Sequence, residues 1–109
     1  MAVYLMVEVQ VTDDAWIPDY AAQVHDIVAR YQGRYLSRSG NIETLEGEQG
    51  KDTLIALIQF PTRDDALAFV NAPEYAPFSA ARQAGSVSRV RLMDDTDLAG
   101  TIPYLGKAG

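Results

Sequence analysis

Apolar and polar side chains alternate along the first eleven residues, and this period of two predicts a β-strand with one buried face. A helix is predicted after it, because Thr12, Asp13 and Asp14 offer N-caps and Pro18 falls within a first turn. Gly33 is expected to end this helix. The apolar residues of the helix recur at helical spacing and form one stripe, made of Ile17, Tyr20, Ala21, Val24, Ile27, Val28 and Tyr31.

Three more strands and two short helices follow in the pattern. Strands are predicted over residues 34–39, 53–60 and 86–93, and helices over 62–71 and 74–83. The near-continuous apolar run TLIALIQF is typical of a central strand covered on both faces. The first of the short helices is expected to turn four residues inward, namely Ala66, Leu67, Phe69 and Val70.

The order of these elements predicts one α+β domain over residues 1–93. It is the ferredoxin-like βαββαβ arrangement, with an antiparallel sheet and its helices on one face. Residues 42–45 are expected to prolong the second strand beyond a kink. Residues 94–109 have no strong period and are expected to form an extended C-terminal tail. The anchors expected in this tail are Ile102, Pro103, Tyr104 and Leu105.

The second face of the predicted sheet is too apolar to be exposed to water. We therefore expect a homodimer in which two sheets pack face to face as a dimeric α/β barrel. A partly polar space around Glu8 and Gln59 would remain between the sheets, and this space is a candidate ligand site. The residues of the second face are Tyr4, Met6, Glu8 and Gln10 on the first strand, and Ile55, Leu57 and Gln59 on the third.

Charge and composition narrow the classes of partner and compartment. Nine Lys and Arg against fifteen Asp and Glu give a formal charge of -6, which disfavours nucleic acid and anionic membranes. The absence of cysteine excludes disulfides, thiolate catalysis and iron-sulfur clusters. No signal peptide and no apolar run near the ~20 residues of a membrane span is found, so a soluble cytoplasmic protein is expected.

Single residues give weaker chemical signals. The only histidine, His25, is turned away from the apolar stripe, so we expect it to be exposed and dispensable. The spacing of Arg34 and Arg38 predicts that they share a strand face. Two interpretations have equal weight, namely that the arginines shield an edge strand from unwanted pairing and that they bind an anion. Arg38, at the strand end, is preferred for a pocket, and Arg34 is expected to point to solvent. No metal-ligand set and no cofactor motif is found, so neither a metal nor a cofactor is expected.

Several segments resemble the domain-of-unknown-function family 1330. They are residues 33–38, 45–47, 59–61, 66–69 and 71–75 together with Arg82, and the resemblance spans roughly residues 3–93. It implies a small dimeric α+β barrel, in a superfamily that includes cofactor-free monooxygenases, lactone isomerases and haem enzymes. It also implies a set of pocket residues, namely Tyr20, Arg38, Glu46, Tyr75 and Arg82.

The chain departs from the family pattern at three positions. Ser39 replaces a glycine of an Arg-Gly-Gly run, Gln59 stands where relatives often have Glu, and Pro77 interrupts the last helix. A neutral amide cannot replace a carboxylate as a proton acceptor. Gln59 therefore argues against proton abstraction at that position.

The sequence fits two classes of function, a binding protein and an enzyme. In the first, the barrel cavity holds a small organic, carboxylated molecule. This class is favoured, because no residue has an activating partner visible in the sequence. In the alternative, the protein is a small cofactor-independent enzyme, monooxygenase-like or isomerase-like, that uses Glu8, Tyr4 or Arg38 in a shielded pocket.

Overall fold

The structure is a computed structural model that describes residues 2–100. The anchors expected at residues 102–105 lie outside this range. No helix among residues 2–100 has the length and apolar character needed to cross a membrane. Short 3₁₀ turns lie at Asp14–Trp16 and Leu98–Gly100. The main elements are β1 (Val3–Val11), α1 (Ile17–Arg30), β2 (Arg34–Ser39), β3 (Leu54–Phe60), α2 (Arg63–Val70), α3 (Ala76–Ala84) and β4 (Ser86–Asp94).

The four strands form one antiparallel sheet in the order β2-β3-β1-β4. In the two pairings of the central strand β1, Val7 lies opposite Ala56 of β3 and opposite Val90 of β4. The apolar faces of the helices pack on one side of this sheet and form a single core with it. The α+β, ferredoxin-like arrangement predicted from the sequence is therefore confirmed.

The core is built around the odd-numbered residues of β1 from position 3 to position 9, all of which are buried. Val24 and Val28 of α1 are fully buried with them. Phe69 of α2 stacks on Phe60 at 5.7 Å between ring centroids and on Tyr75 at 4.4 Å. Alternation in the strand and helical spacing in α1 thus bury the residues that the sequence pattern assigns to the interior.

The end of α1 differs from the expectation that Gly33 supplies a left-handed stop. Gln32 has the positive φ, 73°, and its N–H donates to the Ala29 carbonyl. The Gly33 N–H donates to the Val28 carbonyl, which completes a Schellman motif. Gly33 is needed for space, because a Cβ at this position would lie 2.6 Å from the Phe60 ring.

Three further local expectations are wrong. Arg34 and Arg38 do not share a strand face, because a register shift between Tyr35 and Ser37 turns Arg38 toward the helices and leaves Arg34 on the other side of the sheet. Residues 42–45 form no strand in the described chain, because the pairing of β2 with β3 ends at Ser39 and Ile55, one residue from the start of β3. Gly47 and Gly50 adopt positive φ in this exposed loop. Val70 is 39% exposed, because it faces a second cavity beside α2, which is described below.

The side of the sheet away from the helices is uncovered, and we call it the open face. Its apolar members are incompletely buried, with Val87 64% and Met93 54% exposed. The strand register places fourteen residues on this face. They are Arg34, Ser37 and Ser39 of β2, Ile55, Leu57 and Gln59 of β3, Tyr4, Met6, Glu8 and Gln10 of β1, and Val87, Arg89, Arg91 and Met93 of β4.

Candidate functional site

A cavity of about 350 Å³ lies between α1 and the helix side of the sheet. The first turns of α1, at Ile17 and Ala21, pass over β1 and β3 and form its roof. Ala56 is the smallest side chain in the inward row of β3, so the sheet does not fill the space under the helix. The walls are apolar and aromatic apart from two arginines, Arg38 and Arg82.

Trp16 lies in the turn that precedes α1 and forms part of the cavity wall. Its Nε1–H donates to the Gly85 carbonyl at 3.2 Å, and its ring meets the Tyr20 ring edge-on at 5.1 Å. A Cβ at Gly85 would collide with the indole ring. The close approach of this glycine therefore sets the position of Trp16. Since Trp16 is the only tryptophan in the chain, its fluorescence reports on the cavity.

A pair of tyrosines holds the helix side of the site together. The hydroxyl groups of Tyr20 and buried Tyr75 are 2.7 Å apart and share one hydrogen bond. Burial, followed by the neighbouring Tyr75, raises the pKa of Tyr20 far above its ordinary value. Burial also raises the pKa of Tyr35. The phenols of Tyr20 and Tyr35 are therefore neutral at physiological pH and do not act as bases.

Arg82 of α3 is the one buried charged residue among residues 2–100, at 5% exposure. Its Nη1 donates to the Ser88 hydroxyl, and its Nη2 donates to the Ser79 hydroxyl at 3.4 Å. Its Nε has no hydrogen-bond partner. Both ion pairs of residues 2–100 belong to Glu8, so no carboxylate in this range neutralises Arg82. The guanidinium keeps its charge in this environment, because arginine is not deprotonated in proteins.

Arg82 also lines a second cavity, of about 280 Å³, between the sheet and the helices α2 and α3. Ser79 and Ser88, which accept its two hydrogen bonds, line only this second cavity. Val7 and Ile58 line both spaces. The guanidinium is therefore part of the boundary between the two cavities.

The opening of the main cavity carries a stacked cluster. The Arg38 guanidinium lies 4.1 Å from the centre of the Tyr35 ring, and the His25 ring stacks on Tyr35 at 5.7 Å. Arg38 Nη2 lies 2.9 Å from His25 Nδ1, so neutral Nδ1 accepts this hydrogen bond. His25 is exposed, as predicted, but it orients an arginine of the cavity.

The structure brings four of the seven candidate site residues together on the helix side of the sheet: Tyr20, Arg38, Tyr75 and Arg82. Glu8 and Gln59 lie on the open face, so the sheet separates them from this cavity. Glu46 lies in the exposed loop that follows β2. The main cavity of the described chain is thus on the opposite side of the sheet from the space expected between two sheets.

The open-face candidates have different surroundings. Glu8 accepts from Arg91 at 2.6 Å and from Arg89 at 3.2 Å, and its side chain is only 12% exposed. These hydrogen bonds, Arg91 first, hold the pKa of Glu8 below its ordinary value. Gln59 Oε1 accepts a hydrogen bond from Arg34 Nε at 2.9 Å. This bond links the exposed Arg34 side chain to β3.

Sequence reasoning missed the aromatic walls, Trp16 and Tyr35, and the two serines beneath Arg82. Trp16 stands outside the helical stripe, and its partner Gly85 is far away in the sequence. For Tyr35 a signal existed, because a ferredoxin-like sheet turns alternate residues of its second strand toward the helices. No group of three or more His, Asp or Glu within residues 2–100 is placed to hold a metal ion.

The fold is shared with solved structures of low sequence identity. A protein of unknown function from Rhodopseudomonas palustris, RPA0582, superimposes with a TM-score of 0.70 at 16% identity, over 88% of this chain and 83% of that one. SnoaB, a cofactor-independent oxygenase from Streptomyces nogalater, gives 0.63 at 16% identity, over 88% and 94%. An antibiotic biosynthesis monooxygenase gives 0.57 at 13% identity, over 89% and 100%.

None of the curated proteins matches this chain. The family described as "Domain of unknown function (DUF1330)" matches residues 2–96, which is nearly the whole described chain and contains both cavities. The chain therefore belongs to the DUF1330 family.

Proposed function

We propose that the protein binds a small organic carboxylate in the cavity between α1 and the sheet. The observation that carries this proposal is Arg82, a buried guanidinium that lines the cavity and forms no ion pair with any carboxylate of residues 2–100. Burying an ion costs several kcal/mol unless a counter-charge offsets the lost hydration. Two serine hydroxyls offset only part of this cost, so an anionic ligand supplies what the chain lacks.

The walls of the cavity define the rest of the ligand. Trp16, Tyr20 and Ile17 on the helix side, with Val7 and Val9 below, favour an apolar body over a hydrated inorganic ion. A space of about 350 Å³ lies at the lower end of the range for small-molecule sites. The ligand is therefore a carboxylate of one or two rings, or an aliphatic acid of similar size.

The proposal is tested by titrating the protein with benzoate, 2-naphthoate and the corresponding neutral amides while Trp16 fluorescence is recorded. We expect the acids to bind more tightly than the amides. Arg82→Gln should weaken the acids about tenfold or more, the loss of one charged hydrogen bond. Arg34→Gln removes an arginine from the open face and is the matched control, with no expected effect.

Blocking the cavity gives a second check that leaves Arg82 in place. Ala21 lines the cavity but is exposed, so Ala21→Phe should fill the space without disturbing the core. We expect this variant to fold normally and to lose binding of the acids. Equal affinity for acids and amides, or binding that survives both substitutions, would contradict the proposal.

A second candidate function is cofactor-independent oxygenation, which is favoured by the fold shared with SnoaB and with the antibiotic biosynthesis monooxygenase. The cavity could exclude water from an electron-rich phenol, but the chain offers few proton acceptors there. Glu8 and Tyr4 lie across the sheet, and the phenol of Tyr20 is neutral. Within residues 2–100, the group beside the opening that can take up a proton is the His25 ring, once its Nδ1 is released from Arg38.

Oxygen uptake separates binding from oxygenation. With a polycyclic phenol that binds the cavity, an oxygenase consumes dissolved oxygen faster than the phenol does alone. His25→Gln slows this reaction, and Trp16 fluorescence measures in the same variant how much phenol remains bound. A binding protein leaves the background rate unchanged.

We also propose that two copies pair through their open faces. The apolar residues Met6 and Leu57 are only half-buried at the centre of this face, and Val87 and Met93 at its edge are exposed. Pairing would remove these side chains from water and bury the cluster of Glu8 with Arg89 and Arg91. This arrangement leaves the ligand cavity of each copy intact on the other side of the sheet.

A further inference from the structure

From the placement of the two cavity arginines, we infer that the ligand has two acidic groups at opposite ends of a flat apolar body. This inference rests on the proposed function and specifies its ligand class. Arg82 binds the inner acidic group, and Arg38 binds the outer one at the opening.

The charge of the cavity wall is the first argument. Arg38 and Arg82 are both part of the wall, and no acidic side chain of residues 2–100 lines the space with them. The chain as a whole carries six more negative than positive charges. Two uncompensated positive charges in one mostly apolar cavity of an acidic protein match a dianion better than a monoanion.

The strand register is the second argument, because it places the two arginines on opposite sides of the cavity. Arg38 of the edge strand β2 lies opposite Ala56, Ala56 opposite Val7, and Val7 opposite Val90 of the other edge strand. Ser88, which accepts from Arg82, lies on β4 two residues before Val90. Three strand spacings, about 14 Å, therefore separate the backbone of Arg38 from that of Val90, on the strand whose Ser88 accepts from the Arg82 guanidinium.

The third argument concerns the availability of the guanidinium groups. Arg82 forms no ion pair within residues 2–100 and donates to two serine hydroxyls, and Arg38 contacts the His25 ring and the Tyr35 side chain. Neither contact neutralises a positive charge. The rings of Tyr35 at the opening and Trp16 on the wall favour a flat body between the two ends.

The test compares dicarboxylates with their mono-amides by Trp16 fluorescence and by calorimetry at neutral pH. The probes are benzene-1,4-dicarboxylate and naphthalene-2,6-dicarboxylate, each with the analogue in which one carboxylate is an amide. Benzene-1,2-dicarboxylate has the same charge but places both groups at one end. We expect the end-to-end dicarboxylates to bind about tenfold or more tightly than their mono-amides.

Variants of the two arginines show which arginine binds which acidic group of the ligand. Arg38→Gln should abolish the advantage of the dicarboxylate while leaving mono-amide affinity within about twofold, whereas Arg82→Gln should weaken both. Arg34→Gln, on the open face, should change neither. Arg38 is exposed, so its substitution does not threaten folding.

The outcomes separate this inference from the proposed function. If monocarboxylates bind through Arg82 but the end-to-end dicarboxylates show no advantage, or an advantage that survives Arg38→Gln, the two-ended ligand is wrong and the carboxylate site stands. Tighter binding of benzene-1,2-dicarboxylate than of benzene-1,4-dicarboxylate would also overturn the two-ended ligand. If no acid binds, both proposals fall.

Discussion

At the scale of single residues, the surroundings of Arg82 support the binding role that we propose for it. Structural buried charges are normally paired with an opposite charge, because breaking such a pair costs several kcal/mol. Arg82 has only hydroxyl partners and an unpaired Nε. Under the proposed function, such a residue lowers the stability of the ligand-free protein and raises its affinity for an anionic ligand.

This view predicts the effect of Arg82→Met, which removes the charge and keeps a side chain of considerable length. We expect the free energy of unfolding in denaturant to be unchanged or to rise by about 1 kcal/mol, because the uncompensated charge is gone. Binding of aromatic acids should be lost in the same variant. A fall of more than about 2 kcal/mol would show instead that Arg82 supports the fold.

Gln32 is a second residue whose conformation predicts a measurable effect. Its positive φ of 73° is sterically unfavourable for a residue with a Cβ, and glycine has no such penalty. We therefore expect Gln32→Gly to raise the free energy of unfolding by about 0.5–1 kcal/mol. Gln23→Gly, at an exposed position inside α1, is the control and should lower it by a similar amount. A loss of stability in Gln32→Gly would contradict the Schellman geometry.

At the scale of elements, the apolar stripe of α1 contributes to two parts of the structure, the core and the cavity. Its later residues, Val24, Ile27 and Val28, are buried in the core. Its first turns, with Ile17 and Ala21, instead form the roof of the cavity. A helix that is half packed and half unsupported depends on contacts at its start, and the turn containing Trp16 provides them.

Gly85→Ala tests this contact between the helix start and β4. The added methyl group would collide with the Trp16 ring, although the φ of Gly85, -103°, is open to any residue. We expect a loss of about 1–3 kcal/mol in stability, as for other overpacked sites, and a change in Trp16 fluorescence. Ala84→Ser, at the exposed neighbouring position, should change neither property.

The elements and the core could be predicted from the sequence, because alternation and helical spacing depend on local geometry. Periodicity also identified the apolar stripe from Ile17 to Tyr31, but it does not show which part of a stripe remains uncovered. That depends on the small size of Ala56 on a strand distant in sequence. Because periodicity does not report contacts between residues distant in sequence, the site was expected around Glu8 and Gln59. The hydrogen bond between Arg38 and His25 was not predicted either.

At the scale of the whole molecule, the uncovered open face is the surface through which we propose that two copies pair. We expect light scattering at micromolar concentration to give about twice the chain mass of 11.9 kDa. Leu57→Asp places a carboxylate at the centre of this face and should yield monomers, because a buried, unpaired charge costs several kcal/mol. Ala68→Asp, exposed on α2, is the control and should remain dimeric. A wild-type monomer would contradict pairing through this face.

The cluster around Glu8 predicts how stability depends on pH. Its pKa is lowered in the folded protein from an ordinary value of 4.5 by the hydrogen bonds from Arg91 and Arg89. The carboxylate therefore stabilises the fold above about pH 4.5, and this contribution is lost as the pH falls through the lowered folded pKa. Compared with Glu8→Gln, the wild type should be more stable by ~0.5–1 kcal/mol at pH 7. Thermal unfolding of both proteins should converge toward pH 3, and a difference independent of pH would contradict this assignment.

The central strand β1 links the two sides of the molecule through the parity of its residue numbers. Odd positions such as Val7 form the cavity floor, and even positions such as Met6 and Glu8 form the open face. Point substitutions can therefore alter one side while the other is preserved, so the proposed ligand cavity and the proposed pairing surface can change independently of each other. A deletion of one residue within β1 would exchange the two sets and destroy both surfaces in a single step. We therefore expect insertions and deletions among relatives to be confined to segments such as the loop between β2 and β3, whose residues do not alternate between the two faces of the sheet.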